Sequence, residues 1–111
     1  MKYALLIYSS DEGWNELSEA EQQAIYGEYM AVSGSPGIVG GEQLQPIGTA
    51  TTVRVDGGET LTTDGPYAET KEALGGFFLF EADNLDDAIA IAARIPAARN
   101  GAVEVRPIVE M

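Results

Sequence analysis

The chain contains no histidine and no cysteine. Without histidine there is no imidazole base, no Ser-His-Asp triad and no His-ligated metal. Without cysteine there is no thiolate nucleophile, disulfide, zinc knuckle or iron–sulfur site. Any chemistry falls to carboxylates, Lys, Arg, Tyr, hydroxyls and the backbone. Basic residues are scarce too: six Lys and Arg face 18 Asp and Glu, a formal charge of −12. Direct nucleic-acid contact and anionic membrane surfaces are disfavoured, since both need a basic patch. Long apolar runs are missing. Tyr3 to Tyr8 is followed at once by Asp11 and Glu12, too short for a signal-peptide core. Nothing approaches the roughly 20 apolar residues of a membrane span. The expectation is a cytoplasmic protein.

What is present suits one globular domain over residues 1–111, with 45% hydrophobic and 22% charged residues. Tyr3-Ala4-Leu5-Leu6-Ile7-Tyr8 is apolar at both parities, the pattern of a strand buried on both faces. Ser18-Glu19-Ala20-Glu21 has the form of a capping box. Ala24, Ile25, Tyr29 and Val32 then recur at helical spacing, so a helix is expected from about Ser18 to Ser33. Gly27 within it reads as a close packing point, and Ser33-Gly34-Ser35-Pro36-Gly37 ends it. Ile38 to Leu44 reads as a strand crossing Gly40-Gly41 and broken by Pro46. Thr51 to Val55 and Glu59 to Thr63 flank Asp56-Gly57-Gly58, a hairpin. Phe77 to Phe80 is a second strand apolar at both parities. Asn84 caps a second helix whose expected face is Leu85, Ala88, Ile89, Ala92 and Ile95, with Pro96 as its end. Ala102 to Val109 forms the last strand.

The order is strand, helix, strands with an inserted hairpin, strand, helix, strand: an α+β fold with a ferredoxin-like βαββαβ sheet. Its helices cover one face. The strands at Tyr3–Tyr8 and Phe77–Phe80 carry apolar groups on both, and at roughly 25 cal/mol per Å² an exposed second face forfeits several kcal/mol. Two arrangements cover it: a second copy packed sheet against sheet, or the hairpin folded back over the sheet of a monomer.

Thr63-Asp64-Gly65-Pro66-Tyr67-Ala68-Glu69-Thr70-Lys71-Glu72, followed by Leu74-Gly75-Gly76-Phe77, resembles the signature of the DGPF group within the YCII-related family. Met1-Lys2-Tyr3 with Leu5-Leu6-Ile7-Tyr8, Gly41 to Leu44 and Arg94 to Ala98 before Val103 to Pro107 fit the same group, so the resemblance spans the chain. Tyr67 stands where the family name has Phe. The resemblance implies a dimeric α+β barrel, hence a homodimer. It also implies an association with alternative sigma factors in some members, and so a sigma-factor-related protein partner. A His–Asp pair is proposed as catalytic in part of the wider family. With no His here, the Asp half alone carries over, onto Asp64.

Each candidate has a bland reading beside the functional one. Asp64 is either a general acid or base at a cavity wall, or a turn residue whose carboxylate accepts downstream amides while Pro66 holds Gly65 extended. Glu69, Thr70 and Lys71 form a lip over a cavity, with Lys71 orienting an anionic ligand, or Lys71 pairs with neighbouring carboxylates. Tyr67 belongs to the same ligand-binding set. Arg106 faces a dimer cavity if Val103 and Val105 face the helices, and Arg54 can do likewise. Such arginines select a carboxylate-bearing small molecule, or else form cross-strand pairs. Trp14 reads as a loop anchor. No metal site is expected, because Asp11-Glu12 and Asp86-Asp87 lack the spacing of a calcium loop. No cofactor is expected either, since Gly40-Gly41 and Gly57-Gly58 lack a phosphate-loop pattern. Two functions follow. One is a small-molecule-binding dimer, extended to an acid–base enzyme if Asp64 is catalytic. The other is a non-enzymatic sensing or interaction module linked to sigma-factor-dependent transcription.

Overall fold

A strand running into a helix cap opens the computed structural model, which describes residues 1–68 and 70–111. In chain order come β1 (Lys2–Ser9), α1 (Asp11–Asn15), α2 (Glu19–Ser33) and β2 (Ile38–Gln43). A 3-10 turn at Ile47–Thr49 leads into β3 (Thr51–Asp56) and β4 (Glu59–Asp64). The chain ends with β5 (Ala73–Glu81), α3 (Leu85–Ala92), α4 (Ala97–Asn100) and β6 (Ala102–Pro107). The fold is α+β. A four-stranded sheet runs β2-β5-β1-β6, with antiparallel pairing throughout, and β3 and β4 form a separate hairpin. This is the ferredoxin-like order, and within one chain the sheet is open rather than closed into a barrel.

The capping box forms as the sequence dictates. The Ser18 hydroxyl accepts the Glu21 amide at 3.1 Å, and the Glu21 carboxylate accepts the Ser18 amide at 3.2 Å. The Asn84 side chain likewise accepts the Asp87 amide at 2.9 Å and starts α3. Tyr3, Leu5 and Ile7 of β1 and Phe80 of β5 pack against Val32 of α2 and Ala88, Ile91 and Ala92 of α3, together with Ile95 and Ala97. Val103 and Val105 join this core from β6.

Several local expectations are corrected. On α3, Leu85 and Ile89 are exposed and Ile91 is buried, because a helix lying flat on the sheet centres its contact on the Ala88–Ile91–Ala92 stripe. Pro96 does not simply stop a helix. It takes α conformation as the cap of α4, where a residue without an N–H costs nothing. A methyl group at Gly27 would meet no atom within 4 Å beyond its own helix backbone, so this glycine is not a packing point. On α2, Ala24 is exposed while Val32 is buried.

The alternative of a hairpin folded over the sheet is overturned. Across β3 and β4 every residue but Thr52 is exposed, so the hairpin projects from the body as an arm. The molecule measures 45 × 43 × 18 Å with a radius of gyration of 15.9 Å, against about 13 Å for a compact chain of this length. Leu6, Phe77 and Leu79 therefore remain on the sheet face that no helix covers. Among the described residues no helix is long and apolar enough to cross a membrane.

Candidate functional site

The site follows from an irregularity in the central strand pair. Ile7 pairs with Gly76 and Tyr8 with Leu74, so Gly75 is an extra residue on β5, a bulge that turns the strand near its start. The Leu44 amide donates to the Gly75 carbonyl at 2.9 Å, which ties the segment after β2 to the same point. Between this bulged edge and α2 lies a groove of about 820 Å³, within the roughly 300–1,000 Å³ typical of small-molecule sites.

One wall comes from the helices. Tyr26, Tyr29, Met30 and Ser33 line it from α2, spaced by three and four residues so that they share one side of the helix. Trp14 of α1 stands edge-on to Tyr26, with ring centroids 5.2 Å apart and planes at 74°, the favoured geometry of an aromatic pair. The Trp14 carbonyl ties α1 to α2, accepting from the Gln22 side-chain amide at 3.0 Å as well as from the Leu17 amide at 3.2 Å. Burial pushes the Tyr29 phenol up from its ordinary value, so this wall is uncharged at neutral pH. The opposite side is formed by Phe78, Gly75 and Gly76 of β5 and by Leu44 and Pro46 after β2. A methyl group at Gly75 would meet only the Ser9 hydroxyl, at 3.9 Å. That space is open to a ligand.

Thr70 and Lys71 lie on the rim of this groove. The Thr70 hydroxyl donates to the Glu72 carbonyl, closing a turn with Lys71 at its centre. The other candidates lie elsewhere. Asp64 is exposed at the end of β4, paired in register with Thr51, and does not line the groove. Its turn is held by backbone rather than by its carboxylate: the Gly65 amide donates to Ala50 at 2.7 Å, and the Thr52 hydroxyl donates to the Gly65 carbonyl at 2.8 Å. Gly65 takes φ +102°, not the extended conformation expected before proline, and this is a region that favours glycine. Arg54 and Tyr67 come together, the guanidinium 4.8 Å from the ring centroid, on the side of the arm that also carries Leu61. Arg106 is exposed beside Ala4 on the uncovered sheet face, because Val103 and Val105 face the core. Glu69 lies outside the described residues.

The aromatic wall is what sequence reasoning misses. Trp14 sits in a short helix rather than a loop, and Tyr26 and Met30 fall beside the stripe assigned to the core. The signal is present in the chain: α2 carries more apolar residues around its circumference than one core-facing stripe requires.

Two comparisons bear on this arrangement. The YCII-related domain family matches residues 1–111. An uncharacterized protein of Rhizobium meliloti (strain 1021) is 36% identical over 116 residues, spanning 97% of this chain and 92% of its own length.

Proposed function

The chain belongs to the YCII-related domain family, and from that premise we propose that it binds a small organic molecule in the groove between α2 and the bulged edge of the sheet. One observation carries this reading. Tyr26, Met30 and Leu44 are 47%, 72% and 43% exposed, and all three line this one groove. Concentrated apolar exposure beside hydroxyls and amides is the signature of a ligand or partner site. The acid–base role expected for Asp64 is not part of the proposal, since its carboxylate stands outside the groove. The test is a fragment panel screened by amide and indole chemical-shift changes in labelled protein. Binders should shift Trp14, Gly75 and Gly76 together, and Gly75→Val should abolish those shifts while leaving the rest of the spectrum intact. Shifts scattered elsewhere, or none, would overturn the reading.

The working unit in this proposal is a homodimer. Leu6, Phe77 and Leu79 lie on the helix-free face of the sheet, and the projecting arm leaves them uncovered. A second copy placed face to face removes this surface from water and supplies a body for the arms to rest on, since an isolated hairpin is marginal in water.

A further inference from the structure

Resting on the groove as a binding site, we infer that its ligand is a planar, apolar-bodied monocarboxylate, an aromatic acid bound with its ring against Trp14 and Tyr26 and its carboxylate toward Lys71. The shape comes from the walls. An edge-on aromatic pair on one side and a strand start without side chains at Gly75 on the other leave a slot suited to a flat body. The charge comes from placement. Among the described residues two charged side chains line the groove, Lys71 and Glu42. Glu42 pairs in register with Phe77, whereas Gly41 pairs with Phe78. Strand alternation therefore directs the Glu42 side chain to the face away from the helices. Lys71 lies between Thr70, whose hydroxyl donates to the Glu72 carbonyl, and Glu72. It is one of only two lysines in the chain, and it stands where the polar end of a ligand would emerge, with the Thr70 hydroxyl adjacent.

The whole-chain charge of −12 narrows the anion further. A polyanion such as a nucleotide meets a repulsive field over most of its approach, whereas a single carboxylate needs only one local cation. The slot then sorts ligands twice, by flatness along the aromatic wall and by one negative charge at the rim.

Titration calorimetry with three matched probes tests this: 2-naphthoate, naphthalene-2-carboxamide and 2-naphthylmethylamine. The acid should bind roughly tenfold tighter than the amide, the effect of one charge-assisted contact, and the amine weakest. Raising the salt should narrow the gap between acid and amide. Lys71→Met should remove that gap while preserving binding of the amide, and Gly75→Val should block both. Equal affinities for acid and amide, or a preference that survives Lys71→Met, overturns the inference. If the amide still binds and Gly75→Val still blocks it, the groove stands as a site of different selectivity. If none of the three binds, the carboxylate assignment falls, and the fragment panel alone then decides the groove.

Discussion

At the residue scale the most informative positions are glycines, and they divide by what a side chain would meet. Gly37 takes φ +94°, and a methyl group there would lie 2.8 Å from the Glu81 carbonyl. Gly37→Ala is expected to cost about 1–3 kcal/mol, read as a lower urea midpoint with an unchanged slope. Gly27 is the opposite case, an exposed helix interior with open space around it. Gly27→Ala should therefore stabilise by about 0.5–1 kcal/mol, visible as a melting temperature raised by a few degrees. The same letter in the sequence carries both meanings. A weak helix former inside a periodic stretch demands a reason, which makes Gly27 read as a packing point, yet only neighbouring atoms reveal whether one exists. Asp64 repeats the lesson with a functional residue. Its motif is legible, but whether the carboxylate enters a cavity depends on where the arm points.

At the element scale, caps and periodicity govern, and these are legible. The capping box at Ser18 and the cap at Asn84 form between residues three apart, so their chemistry is complete within a few residues of chain. Ser18→Ala should destabilise by about 1 kcal/mol, measured by denaturant unfolding, with the groove retained because its wall lies further along α2. The contact between α2 and α4 is of the other kind. Arg99 makes a two-pronged ion pair with Glu28, at 2.8 and 3.0 Å, across 71 positions of sequence. Its hydrogen bond holds the Glu28 carboxyl below the usual carboxylate range. A lowered carboxyl pKa stabilises the fold above its unfolded value, and that contribution is lost as pH falls through the folded one. The small stability difference between the wild type and Arg99→Ala, small because both side chains are exposed, should thus be present at neutral pH and vanish in acid. Unfolding curves at the two pH values check the sign. No local pattern announces this pair, and none announces that Trp14 meets Tyr26.

At the scale of the whole molecule, the shape is flat and extended, 18 Å in its thinnest direction, with a hairpin that packs on little of its own chain, and the proposed homodimer makes a prediction here. Sedimentation should return twice the chain mass. Leu79→Glu, on the uncovered face, should shift it to a single chain, because a charge buried between two sheets is strongly unfavourable. Leu85→Glu, on the exposed outer side of α3, should leave the mass unchanged. A wild-type protein sedimenting as one chain would refute the face-to-face assembly without touching the groove.

Composition and pattern by themselves determined which chemistries are closed to this chain, where α2 and α3 begin, and that two of its strands are apolar on both sides; that β5 starts at Ala73, four residues before the apolar run at Phe77, was not among them. Those properties are set by residue types and by spacings of two to four positions. Only the tertiary structure decided what those elements bring together: Thr70 and Lys71 with the aromatic wall of α2, Arg54 with Tyr67, and Asp64 with neither. Such meetings depend on strand order, on the bulge at Gly75 and on the direction of the arm. A contact between residues dozens of positions apart exists only once the chain is packed.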